Sequence, residues 1–91
     1  MSALLVRRRH QLARIDAEQR LERIADKMTE RFGAVCTKSG AVITVEHRDV
    51  NGTITIADTE VVIEARLGGA LGLFKRRVES EIERILDREL G

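Results

Sequence analysis

From residue 41 to residue 67 the chain reads "AVITVEHRDVNGTITIADTEVVIEARL". Apolar and polar side chains alternate in three successive runs, broken by short polar turns. Period-two alternation marks a strand with one buried and one solvated face. Breaks this short return each strand as the antiparallel neighbour of the last. A fourth strand, "AVCTK", lies upstream at residues 34–38, and Ser39-Gly40 is a two-residue hairpin signal joining it to residues 41–47. That turn pairs Lys38 with Ala41. Cys36 then faces Ile43 and Ala34 faces Val45, all on the core side, while Val35, Thr37, Val42 and Thr44 take the opposite face. Further turns are expected at "DVNG" and "ADTE". Ile54 and Ile56, then Val61, Ile63, Ala65 and Leu67, continue the inward face.

A sheet with one apolar face needs a cover, and two amphipathic helices flank it. The first is expected from about Arg14 to Phe32, with Ala17, Leu21, Ile24, Ala25, Met28 and Phe32 on one side. Asp16 and Gln19 have capping-box spacing, which allows a later start, and Gly33 is placed to end the helix. The second is expected from about Leu71 to Leu90, with Leu71, Phe74, Val78, Ile82, Ile85 and Leu86 as its stripe and pairs such as Arg77 with Glu81 outside. Residues 3–9, "ALLVRRR", read either as a short strand with Leu4 and Val6 inward or as a loose basic tail, the strand being favoured. The expectation is one α+β domain over residues 1–91. It is a two-layer sandwich of an antiparallel four- to five-stranded sheet with both helices on one face, in the order β-α-β-β-β-β-α.

With 91 residues the chain holds one core and little besides. Sixteen basic residues against fifteen acidic ones leave a net charge of +1, so attraction to nucleic acid or a membrane surface must be local. Phe32 and Phe74 are the only aromatics, too few for a stacking platform on single strands. The basic run "RRRH" at residues 7–10 belongs to no nucleic-acid-binding motif and reads as a charged strand edge. Cys36 is the only cysteine, which excludes an intrachain disulfide and fits a reducing compartment. No run reaches the length of a transmembrane span, and the N-terminal apolar run is too short for a signal peptide. A cytoplasmic protein is expected.

No catalytic constellation emerges. His10 and His47 have no ligand-spaced neighbours, so no metal site is expected, and His10 is expected to cap or pack at the start of the fold. Cys36, on the core face, should behave as a small inert hydrophobe. The C-terminal carboxylates lie on a helix exterior rather than in a cleft. "LGGALGLFKRR", residues 67–77, departs from phosphate-binding loops: Lys75 comes three residues after Gly72, and Arg76 stands where a hydroxyl is needed. Gly68 and Gly69 read as the turn from the last strand into the last helix. Leu73 falls off the buried stripe beside Lys75, Arg76 and Arg77, so these four are the candidate surface contact. Val35, Val42 and Val62 on the open sheet face are the candidate dimer face.

"HQL" at residues 10–12, "RFG" at 31–33 and "EARLGGALGLFKRRVESEIERILDREL" at 64–90 together resemble the polyhydroxyalkanoic acid system family, small bacterial proteins encoded near polyester-storage genes. The most specific stretch runs from Leu67-Gly68 through Lys75, Arg77, Glu79, Glu81 and Ile82, and His10 with Leu12 matches the family's HxL. Arg9 and Leu73 stand where the family often has proline, Arg76 where it often has glycine, and Cys36 where an aromatic is common. The resemblance implies an association with polyester storage and supplies no catalytic residues.

The leading expectation is a non-enzymatic accessory or binding protein of polyhydroxyalkanoate storage, without a cofactor, partnered by the granule surface or by granule-associated proteins. One alternative is a small lipid- or hydroxyacyl-binding domain with a pocket between helices and sheet in a shortened helix-grip arrangement, although a chain this short leaves no roomy cavity once its core is filled. Another is a homodimeric interaction module that pairs its open sheet faces.

Overall fold

A computed structural model describes residues 2–90. Five strands and two helices follow in the order β1 (Ser2–Arg9), α1 (Arg14–Phe32), β2 (Val35–Ser39), β3 (Val42–His47), β4 (Val50–Ile56), β5 (Glu60–Leu67) and α2 (Lys75–Leu90). A 3-10 segment, Gly69–Phe74, joins β5 to α2. The sheet is antiparallel throughout, in the order β1-β5-β4-β3-β2. Residues 3–9 are therefore strand, and they form one edge of the sheet beside β5. The architecture is the expected α+β arrangement.

Both helices pack on the inward face. Ile43, Val45, Ile54, Ile56 and Ile63 are buried there, together with Leu4, Val6, Val61 and Leu67. The helices contribute Ala17, Leu21, Ile24, Ala25 and Met28 from α1 and Val78, Ile82, Ile85 and Leu86 from α2. The helices run antiparallel and are linked along their seam. Arg31 Nη2 lies 3.1 Å from Glu81 Oε2, and Arg20 lies 3.9 Å from Glu89. Lys38, on the inward side of the β2 edge, reaches Glu22 of α1 at 3.0 Å. Arg8 of β1 similarly reaches Asp87 of α2.

Local details differ from the sequence reading. The β2–β3 loop is Gly40-Ala41, with Ser39 opposite Val42, so Cys36 faces Val45 and Lys38 faces Ile43. The shift is two residues, so every side chain keeps its face. Gly40 has φ +62° and is the first loop residue, the place where a tight hairpin turn demands positive φ. The next turn is Arg48-Asp49, and Val50, Asn51 and Gly52 belong to β4 rather than to a turn. α1 starts at Arg14 after Ala13, which makes no side-chain cap; Asp16 sits in the first turn, so no capping box forms. Gly33 ends the helix in the left-handed region, as expected. Glu81 pairs with Arg31 and Arg84 in place of Arg77.

His10 fixes the end of β1. Its Nε2–H donates to the carbonyl of Ala57 at 2.8 Å, and its Nδ1 accepts the Leu12 N–H at 3.1 Å. Both contacts require the neutral ring with its proton on Nε2. The HxL pair thus has a structural reason: the histidine reverses the chain, and Leu12 packs against the core.

Gly52 sits where the β5 backbone lies too close to β4 to admit a side chain. A Cβ there would overlap the backbone carbonyl oxygen of Glu64 and crowd the Ala65 backbone at 3.0 Å. Backbone cannot move aside as a flexible side chain can. Gly52→Ala is therefore expected to destabilise the fold by about 1–3 kcal/mol, read as a lower midpoint in urea denaturation. An unchanged midpoint would contradict the close approach of these strands.

Candidate functional site

One end of the sandwich gathers the features that the core does not consume. The C-terminus of α1, the Arg48-Asp49 turn and the β5–α2 junction all meet there, because Leu67 pairs with Val50 next to that turn. The Gly68 N–H donates to the Asp49 carbonyl at 2.8 Å. Gly69 has φ +55°, and a Cβ on it would lie 2.7 Å from the Asp49 carboxylate. Both constraints favour glycine, so the expected sharp turn into the last helix is present.

The junction then changes the exposure of its apolar residues. The expected α-helical stripe began at Leu71, whereas residues 69–74 wind as 3-10 helix with about 3.0 residues per turn. This tighter winding stacks Leu71 and Phe74 on one side but carries Phe74 away from the stripe of α2. Leu71 is half-buried, whereas Phe74 is 52 % exposed, which corrects its assignment to the core. Leu73 is 85 % exposed, as its off-stripe position implied. Lys75, Arg76 and Arg77 form the first turn of α2, and among the described residues none of them enters an ion pair. Two neighbouring apolar side chains thus stand in solvent beside three uncompensated cations.

A groove of about 320 Å³ runs beside this tip, lined by Arg31, Phe32, Leu71, Phe74, Arg77 and Glu81. Beneath it lies a smaller cavity of about 40 Å³ between the helices and the sheet. Phe32, Leu71 and Val78 border both spaces. Sequence periodicity did not indicate this cavity. Its partial signal was three small residues at inward positions, Ala34, Gly52 and Ala65, scattered along the sequence.

The other candidates lie apart. On the open sheet face Val42 and Val62 occupy one cross-strand row, flanking Thr55. Val35 is two rows away on the β2 edge, opposite Glu46, so the three valines are not one patch. Threonines and charges such as Thr44, Thr53, Glu64 and Arg66 occupy the intervening face. Arg7 pairs with Glu60 at 3.7 Å and Arg8 with Asp87, which salt-links this strand edge at residues 7 and 8. His10 and His47 are at opposite ends of the sheet, since one adjoins the β4–β5 loop and the other the β3–β4 turn.

Cys36 is half-buried rather than fully buried, because β2 is an edge strand. Its sulfur lies 3.7 Å from the Ala25 carbonyl and 3.6 Å from the Thr29 hydroxyl. A half-buried thiol packed against a helix is expected to react more slowly than a free one. Labelling by a thiol reagent is expected to be much slower in buffer than in denaturant, and equal rates would reopen a reactive role.

A family model described as "putative polyhydroxyalkanoic acid system protein" matches residues 4–90, and the chain belongs to that family. No curated protein and no solved structure matches it.

Proposed function

We propose that the protein is a non-enzymatic, cytoplasmic accessory component of the polyhydroxyalkanoic acid system, and that it works by docking on the amphiphile-coated surface of storage granules. The observation that carries this reading is the pairing of exposed Leu73 and Phe74 with the unpaired Lys75, Arg76 and Arg77. Exposed neighbouring apolar groups are costly in water and gain by insertion into a greasy boundary. Each cation near an anionic surface adds roughly 1 kcal/mol, a contribution screened by salt. The cations otherwise oppose the helix dipole at the N-terminus of α2. Attachment would be peripheral: among the described residues no helix is long and apolar enough to cross a membrane. Family membership supplies the reason to name a polyester granule as the surface.

Co-flotation with isolated granules and with anionic lipid vesicles tests the proposal. The wild type should float at low salt and less at high salt, whereas Leu73→Ser combined with Arg76→Glu should largely remain in solution. Both substitutions are on exposed side chains, so thermal stability should change little. Equal recovery of the two proteins at low salt would refute surface docking.

A further inference from the structure

We infer that the space under Phe32 and Leu71 is a binding site for a single hydroxyacyl carboxylate, its tail in the cavity and its head at the groove rim. This site shares Phe74 and Arg77 with the docking tip but not Leu73, which lines neither space, so Leu73 variants distinguish the two.

The cavity arises from the inner face of the sheet. One cross-strand row reads Cys36, Val45, Gly52, Ala65, Leu4, and its centre carries almost no side-chain volume. Gly52 cannot be enlarged, because a Cβ there meets backbone. Met28 of α1 and Val78 and Ile82 of α2 close over the gap without filling it. The remaining 40 Å³ has room for about three water-sized groups. Thr53 and Glu64 also border it, but the alternation of their strands directs their side chains to the open face. A cavity lined by apolar side chains does not hold water well and instead suits the end of an alkyl chain.

The mouth has a different chemistry. Arg77 lines the groove with no acidic partner among the described residues, so it suits a carboxylate. Glu81 lines the same groove, and its Oε2 is buried without a hydrogen bond. Arg31 Nη2 is 3.1 Å away, but the contact lacks hydrogen-bond geometry. Glu81 is ion-paired with Arg31, yet its Oε2 retains the capacity to accept a hydrogen bond, and Arg77 lines the same groove, so the pair matches a hydroxyl close to a carboxylate. A chain that is apolar at one end and carries both groups at the other would satisfy cavity and mouth together.

Calorimetric titration with decanoate and with 3-hydroxydecanoate, both below their micelle concentrations, tests the site. 3-Hydroxydecanoate should bind severalfold more tightly than decanoate, and the advantage should vanish in Glu81→Ala. 3-Hydroxyoctanoate, two methylenes shorter, should bind roughly fifteenfold more weakly, given about fourfold per methylene. Ala65→Val, which fills the cavity, should weaken binding at least tenfold, and Val50→Ile is the milder filling variant if the first fails to fold. Arg77→Glu should also weaken binding, whereas Leu73→Ser should leave it unchanged. Methyl resonances of Val45, Val78 and Ile82 should shift on titration. Absence of binding, or equal binding by the wild type and a folded cavity-filling variant, would overturn the inference. Equal affinity for decanoate and 3-hydroxydecanoate would overturn the assignment of the hydroxyl. Surface docking is read separately, by flotation of the same Leu73→Ser and Ala65→Val proteins.

Discussion

The structure depends on burying one row of β-branched side chains under two helices. Ile43, Ile54, Ile63 and Val6 stand side by side across four strands, in register with Lys38 on the fifth, and all four are buried. Each contributes on the order of 1.5–3 kcal/mol by leaving water. Because strand side chains alternate, a slip of one residue in any of these pairings would turn its apolar set to solvent. The row therefore fixes register across the sheet, and α1 and α2 cover it side by side on one face, α1 toward β2 and α2 toward β1. Ion pairs then trim the assembly at its edges, where partly exposed charges contribute little individually. Lys38–Glu22 and Arg8–Asp87 each join an outer strand to the helix above it.

The neighbouring row shows what happens when that rule is relaxed. Gly52 and Ala65 stand at its centre, where the Ile row has its bulkiest residues. Interiors normally pack as tightly as organic crystals, and missing volume there forfeits dispersion contacts. Gly52 is required by the close approach of two strands, so the deficit is built into the backbone. The other residues lining the gap could compensate only by being larger, and Ala34 is not. Hence the cavity appears at this end of the sandwich, where a 3-10 segment also leads from β5 into α2.

Much of this was legible in the sequence because alternation and helical stripes are both consequences of burial. Element order, strand faces, the two ends of α1 and the inward isoleucines all follow from them. The errors occur where burial gives no instruction. Sliding the β2–β3 loop by two residues leaves every side chain on its own face, so periodicity does not distinguish Ser39-Gly40 from Gly40-Ala41. Asn51-Gly52 looks like a turn by composition, yet here glycine serves a close approach between strands. Phe74 was assigned to the α2 stripe because a period of 3.6 was extended through a segment that winds more tightly. The candidate tip was visible through Leu73, but Phe74 was missed as its companion for that reason. The groove required contacts between α1 and the β5–α2 junction, which no local pattern encodes.

The same end of the molecule thus carries two kinds of unspent chemistry, and their separation is physical. Leu73 and Phe74 face outward, where a broad surface can meet them, while Phe32 and Leu71 face the gap between helix and sheet. Phe74 belongs to both, because it is half-exposed and also lines the groove. A surface that takes up Phe74 would draw it away from the groove wall and widen the mouth. A chain seated in the groove would instead hold Phe74 against it. The two events then compete for one side chain, and by linkage each should weaken the other by the same factor. Loading the protein with 3-hydroxydecanoate is expected to lower its recovery with anionic vesicles severalfold in the wild type. Replacing Phe74 by alanine should remove that coupling, measured as the ratio of flotation with and without ligand, whatever it does to either affinity alone. A ratio unchanged by the ligand in the wild type would mean that tip and groove act independently.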